Sequence, residues 1–154
     1  MKINDFLLKM WNDYSNLNPH INKVLELIND KESNEIINDH IALRTFNHTK
    51  VNRHKLSSYF INNGYNPTED LSFTKKNLKA TYYLHPDPTL PRIFISELLL
   101  ENFSEDLQRI INDKVNEIDI DSISKAEFLS SGIPWSPIDY STYKKIQSES
   151  DYAS

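Results

Sequence analysis

The chain has 154 residues, with 17 lysines and arginines against 22 aspartates and glutamates, and a net charge of −5 at pH 7. This length suits one domain with a real core, and the interspersed, mildly acidic charge lacks the concentrated positive field of a nucleic-acid surface. Cysteine is absent, which excludes disulfides, a thiolate nucleophile and cysteine-bound zinc, and neither a membrane span nor a signal peptide is recognisable, so we expect a cytoplasmic protein.

Apolar residues recur at helical spacing in two segments near the start of the chain. The first predicts a helix over residues 3–16 and carries Phe6, Leu7, Met10, Trp11 and Tyr14. The second predicts a helix to about Asp30, with Asn18 as its cap and Pro19 as its first residue. Both helices are expected to cover a sheet.

The run Asp39-His40-Ile41-Ala42-Leu43-Arg44-Thr45-Phe46 predicts a half-buried strand. Alternate side chains of a strand point to opposite faces, so one face carries His40, Ala42, Arg44 and Phe46. The backbones of His40 and Arg44 should lie roughly 13 Å apart. Their side chains could therefore hold the two ends of one small molecule, a metal at the imidazole and an anion at the guanidinium. The alternative is a histidine and an arginine that are merely satisfied at a sheet edge.

A helix and three further strands follow in order. Thr49 or Asn52 is expected to cap a helix that ends at Asn63-Gly64. Strands are predicted over 65–73, 78–85 and 92–99, with a proline-rich loop at 85–88. The order strand, helix, strand, strand, strand describes a curved half-sheet with a helix behind it and a concave face that needs covering.

Glu97 lies within the most apolar of these strands, which we predict to be buried and central. A buried carboxylate is costly without a partner, so we interpret it as an ion pair with Arg44, Arg92 or a lysine. Beyond it, helices are predicted from Ser104, from Asp121-Ser122 to Ser131, and weakly from Tyr140, and residues 151–154 are expected to add no closing element.

Several of these segments together resemble the 2-oxoadipate dioxygenase/decarboxylase family. The resemblance lies in residues 39–46, in Leu90 to Leu99, in the Lys75 to Ala80 run, in His85-Pro86-Asp87 and in Ser104-Glu105-Asp106-Leu107. That family belongs to the vicinal-oxygen-chelate superfamily, which is built from paired βαβββ modules. The resemblance therefore implies an α+β fold with one such module, preceded by N-terminal helices and followed by a C-terminal helical extension.

The resemblance also implies a mononuclear non-haem Fe(II) enzyme. Such an enzyme uses O2 to convert a 2-oxo dicarboxylic acid such as 2-oxoadipate to 2-hydroxyglutarate and CO2, in lysine catabolism. His40 matches the family's first metal histidine, and Arg44 matches the arginine that holds the substrate carboxylate. A planar, permanently charged fork suits that second task.

The family's second metal histidine and its metal glutamate lie in a second module, which this sequence does not contain. We therefore expect residues 1–154 to be a single incomplete domain, with a helical segment at 1–33, the module at 36–100 and a helical extension at 101–154. Three hypotheses stay open: part of an Fe(II) enzyme paired with a missing second module, a dicarboxylate-binding module without metal, and a relic half-module. In this superfamily the fourth strand of a module often carries a metal carboxylate, so the resemblance also makes Glu97 a candidate metal ligand. A homodimer could then bring two His40 and two Glu97 side chains to one metal.

Overall fold

Four strands form one mixed sheet in the computed structural model, which describes residues 1–29 and 38–154. The strands are β1 (His40–Phe46), β2 (Asn66–Phe73), β3 (Leu78–Leu84) and β4 (Arg92–Leu98), and helix α3 (Arg53–Asn62) connects the first two. Their spatial order is β1-β4-β3-β2. Strand β1 runs parallel to β4, and the other neighbours are antiparallel. The predicted α+β class and βαβββ order are confirmed.

Helix α3 begins and ends where the sequence predicts. The side chain of Asn52 accepts a hydrogen bond from the Lys55 N–H at 3.0 Å, which satisfies a free donor of the first turn. After the helix, Gly64 has a φ of +93°, a left-handed conformation that glycine adopts without a steric cost. The chain can therefore turn directly from α3 into β2.

One face of the sheet packs against helices and forms the core. It carries Ile41 and Leu43 of β1, Ile93 and Ile95 of β4 and Tyr83 of β3, and these residues pack in one cluster with Phe60 of α3 and Phe6. Phe6 belongs to helix α1 (Ile3–Leu17). Burial of these apolar side chains away from water is the main contribution to the stability of the fold.

The opposite face of the sheet is only partly covered. What we call the open face consists of His40, Ala42 and Arg44 of β1, Arg92 and Phe94 of β4 and Tyr82 of β3, which the strand register aligns on one side. At one end of this side, Phe46 is buried with its ring centroid 6.3 Å from that of Trp135. His40 and Arg44 therefore lie on the exposed part of this face, away from the end that Trp135 covers.

The remaining helices flank the sheet. They are α2 (Ile21–Asn29), α4 (Glu105–Asn116), α5 (Ala126–Leu129) and α6 (Tyr140–Glu149). The predicted start of α2 is wrong, because Asn18 terminates α1 by donating from its side chain to the Tyr14 carbonyl. The expected boundary between the N-terminal helical segment and the module, at residues 33–36, lies outside the described residues.

The C-terminal segment differs from the expectation that it adds no closing element. Tyr152 and Ala153 pack against the core cluster, so residues that follow α6 return to the sheet. Within residues 1–29 and 38–154, none of the helices has the length and apolarity needed to cross a bilayer.

We predict that Gly64→Ala lowers the free energy of unfolding by about 2–4 kcal/mol. An added Cβ would lie 2.7 Å from Nε2 of His85. The His85 ring cannot easily yield, because its Nδ1 accepts from the Asp87 N–H and its ring packs against Tyr65. Urea denaturation measures the loss.

The matched control for this variant is Gly132→Ala. Gly132 also has a positive φ, +80°, but nothing lies within 4 Å of the added Cβ. Only backbone strain should remain, about 1 kcal/mol. Equal losses in the two variants would show that the contact with His85 does not matter.

Candidate functional site

His40 lies at the exposed start of β1 and is oriented by its neighbour Asp39. Its Nδ1 is 2.9 Å from Oδ2 of Asp39, and this hydrogen bond, together with the charge of Arg92, lowers the pKa of the Asp39 carboxyl. The second ring nitrogen, Nε2, makes no hydrogen bond to any described residue. A carboxylate on one nitrogen and a free lone pair on the other is the arrangement seen in metal-binding histidines.

Arg44 points from the same face of β1 as His40. Both side chains are exposed, as is Ala42 between them, whereas Ile41 and Leu43 are partly buried on the other side. The guanidinium carbon of Arg44 lies 5.2 Å from the ring centroid of Tyr152. Among residues 1–29 and 38–154, no carboxylate forms an ion pair with Arg44. Within those ranges, no group accepts a hydrogen bond from its guanidinium either.

A cleft of about 840 Å³ opens beside Arg44. Its walls come from α1, β1, the 128–135 segment and the C-terminal residues, and they include Met10, Phe46, Trp135 and Tyr152. His40 is not among the lining residues, so it stands outside this cleft, further along β1. The volume is ample for a small organic acid.

Between His40 and Arg44 the floor of the open face is apolar. Ala42 separates them on β1, and the register aligns it with Phe94 on β4 and Phe94 with Tyr82 on β3. The rings of Tyr82 and Phe94 are 4.7 Å apart. Arg92 is aligned with His40 and adds a second exposed cation to the face. The arrangement offers cationic ends and an apolar middle.

Glu97 lies on the helix face of the sheet, away from His40. It is 6% exposed and accepts hydrogen bonds from the backbone N–H and from Nε of Arg53, at 3.0 and 3.2 Å. The same guanidinium donates to Asp70 at 2.7 Å and to the Thr81 hydroxyl. Neither Arg44, Arg92 nor any lysine of the described residues pairs with Glu97, because Arg53, the first residue of α3, lies directly over this strand.

The described residues do not complete a metal centre. No group of three or more histidine, aspartate or glutamate side chains among them is arranged to hold an ion. The structure also does not bring Glu97 next to His40, so a shared two-chain metal site would require Glu97 to leave Arg53. One imidazole alone does not hold Fe(II) against water. The iron that the family resemblance implies would therefore need further ligands from outside the described residues.

Sequence reasoning missed several residues of this region. Asp39 was part of the strand motif but had no assigned role, and its position next to His40 was the signal that could have identified it. Tyr152 and Trp135 gave no such signal, because they lie in segments without regular periodicity. Each reaches β1 only through a long-range contact.

Comparison with known proteins assigns the sequence to a characterised group. Residues 6–154 match the sequence model of the family described as 2-oxoadipate dioxygenase/decarboxylase. The Arabidopsis thaliana protein "2-oxoadipate dioxygenase/decarboxylase, chloroplastic" is 32% identical over 154 residues, which covers 91% of this chain and 41% of that protein. The chain spans about two fifths of the length of the curated relatives it matches.

Two solved structures are similar over nearly the whole chain. A Shewanella frigidimarina protein named as a hydrolase has a TM-score of 0.90 and 39% identity, and the match covers 99% of this chain and 59% of that one. The Oryza sativa hydroxyglutarate synthase, solved in complex with 2-oxoadipate, has a TM-score of 0.87 and 31% identity, with 97% and 51% covered.

We predict that Glu97→Gln lowers the free energy of unfolding by about 3–5 kcal/mol, because it removes the buried charge that pairs with Arg53 and leaves that guanidinium only the exposed Asp70 carboxylate among the described residues. The matched control is Asp70→Asn, which removes a carboxylate from the same guanidinium. The Asp70 side chain is 68% exposed, so this loss should stay below about 1 kcal/mol. Urea denaturation of both variants measures the difference, and a small loss in both would contradict a structural role for Glu97.

Proposed function

Because the chain belongs to the 2-oxoadipate dioxygenase/decarboxylase family, we propose that it forms part of an enzyme acting on a 2-oxo dicarboxylic acid such as 2-oxoadipate. The reaction consumes one O2 and yields 2-hydroxyglutarate and CO2, which balances all atoms and would place it in lysine catabolism. The observation that carries this proposal is the projection of His40 and Arg44 from one face of β1.

His40 is the residue of this chain that we assign to the metal. Its Nδ1 is engaged by Asp39, which favours the tautomer whose Nε2 lone pair can bind an ion. Fe(II), when bound, supplies the redox chemistry that links O2 to the keto acid. A second histidine and a carboxylate would have to come from outside the described residues, either from a second module or from another chain.

Arg44 is the residue that we assign to the far carboxylate of the substrate. Its guanidinium can meet a carboxylate with two parallel hydrogen bonds, and no described acid competes for it. The apolar floor formed by Ala42, Phe94 and Tyr82 suits the methylene chain that joins the two ends of such an acid. The exposed cation Arg92 adds to the positive potential near the other end.

A second function is supported by the incomplete donor set. Since no three-ligand group exists among the described residues, the chain could bind a dicarboxylic acid through Arg44 without any metal. This alternative predicts dicarboxylate binding that is independent of Fe(II), and no O2 consumption. For either function we propose the cytoplasm as the location.

We predict that the chain consumes O2 with Fe(II) and 2-oxoadipate once the module or chain that supplies the remaining metal ligands is present, and that His40→Ala abolishes this turnover because a metal ligand is lost. An oxygen electrode measures the rate. The matched control is His54→Ala, since His54 is exposed on α3 and remote from the open face. Turnover that survives in His40→Ala would contradict the assignment.

Arg44→Ala should instead raise the KM for 2-oxoadipate by roughly ten- to hundredfold, the effect of losing one charge-assisted contact. The monocarboxylate 2-oxohexanoate lacks the group that Arg44 is proposed to bind. Its KM should therefore not change in Arg44→Ala. An equal rise in KM for both acids would exclude Arg44 from the substrate site.

A further inference from the structure

Tyr152 is anchored to both strands of the parallel β1–β4 pair. Its hydroxyl accepts from the backbone N–H of Thr45 at 3.2 Å and donates to the carbonyl of Ser96 at 2.7 Å. The side-chain hydroxyl of Ser96 lies 2.9 Å from the same oxygen. Burial raises the pKa of the Tyr152 hydroxyl, so it remains protonated and able to donate.

The strand register explains why this position is special. The Arg92 N–H donates to the Asp39 carbonyl and the Asn47 N–H donates to the Leu98 carbonyl, each at 3.0 Å. In a parallel ladder this pattern aligns the N–H of Thr45 with the carbonyl of Ser96. Those are the two groups that the Tyr152 hydroxyl bridges, so the tyrosine is held at a fixed point of the sheet.

The fixed ring lies against Arg44, the residue next to Thr45. The guanidinium carbon is 5.2 Å from the ring centroid, within the range of a cation–π contact. Arginine commonly stacks on aromatic rings in such contacts, which leaves the N–H groups in the guanidinium plane able to donate. Tyr152 therefore restrains a long, exposed side chain without occupying its donors.

We infer that Tyr152 is a positioning residue for Arg44, which holds the guanidinium ready for the far carboxylate of a dicarboxylic acid and so sets the preference for dicarboxylates over monocarboxylates. The substrate part of this inference rests on the proposed function. An arginine that is ordered before binding loses less side-chain entropy when the ligand arrives. This lower entropy cost favours the binding of only those ligands that contact Arg44.

The first test measures Arg44 itself, without any ligand. The Nε–H resonance of Arg44, assigned by its loss in Arg44→Lys, reports side-chain motion through 15N relaxation and the nearby ring through its chemical shift. We expect restricted motion and a ring-current shift in the natural protein and in the control Tyr140→Leu, whose tyrosine is 75% exposed on α6. Both signatures should disappear in Tyr152→Leu.

The second test measures substrate preference. In Tyr152→Leu the KM for 2-oxoadipate should rise roughly three- to thirtyfold, with kcat and the KM for 2-oxohexanoate unchanged. Tyr152→Phe keeps the ring and should retain more of the preference than Tyr152→Leu, and it serves if the leucine variant does not fold.

The outcomes separate the two proposals. Absence of a ring-current shift at Arg44 in the natural protein, or equal Arg44 mobility with and without the ring, would overturn the positioning role. An equal rise in KM for both acids in Tyr152→Leu would also overturn the positioning role, because it would indicate that Tyr152 only supports the fold. A restrained Arg44 in a protein that shows no preference for the dicarboxylate would contradict the proposed function instead, and with it the substrate part of this inference.

Discussion

The buried pair of Arg53 and Glu97 fixes the layout on which the site depends. A carboxylate in a central strand is tolerable only with a charged, hydrogen-bonded partner, and that partner is the first residue of α3. The pair therefore holds the helix over one face of the sheet. Asp70 and Thr81 extend the contact to β2 and β3. Because that face of the sheet packs in the core, the alternation of side chains along β1 places His40 and Arg44 on the opposite face.

The open face combines groups that a stable core would exclude. His40, Arg44 and Arg92 are exposed on neighbouring strands, and the only described carboxylate paired with any of them is Asp39, which orients the imidazole. Unpaired cations next to an apolar floor add little to folding, because exposed charges contribute weakly to stability. It is this arrangement of exposed cations around an apolar floor on which the proposed binding of a dicarboxylic acid rests.

Local sequence patterns predicted much of this fold, and long-range contacts account for the rest. The alternation in 39–46 placed His40 and Arg44 on one face. For α3, Asn52 was one of two predicted caps, and the end at Asn63-Gly64 was predicted from the chemistry of glycine. The partner of Glu97 was not found, because Arg53 lies 44 residues away and the offered arginines were those of the strands. Tyr152 was missed for the same reason, since nothing in its own segment indicates the strands that it joins.

The hydroxyl bridge between Thr45 and Tyr152 spans 107 residues of sequence. During synthesis the chain emerges from its amino end, so β1, α3 and the remaining strands leave the ribosome well before that tyrosine exists. The backbones of β1 and β4 can therefore pair through their own ladder before the hydroxyl that contacts Thr45 and Ser96 is present. The restraint on Arg44 is accordingly a late event of biogenesis, because it depends on a phenol that follows Ser96 of β4 by 56 residues.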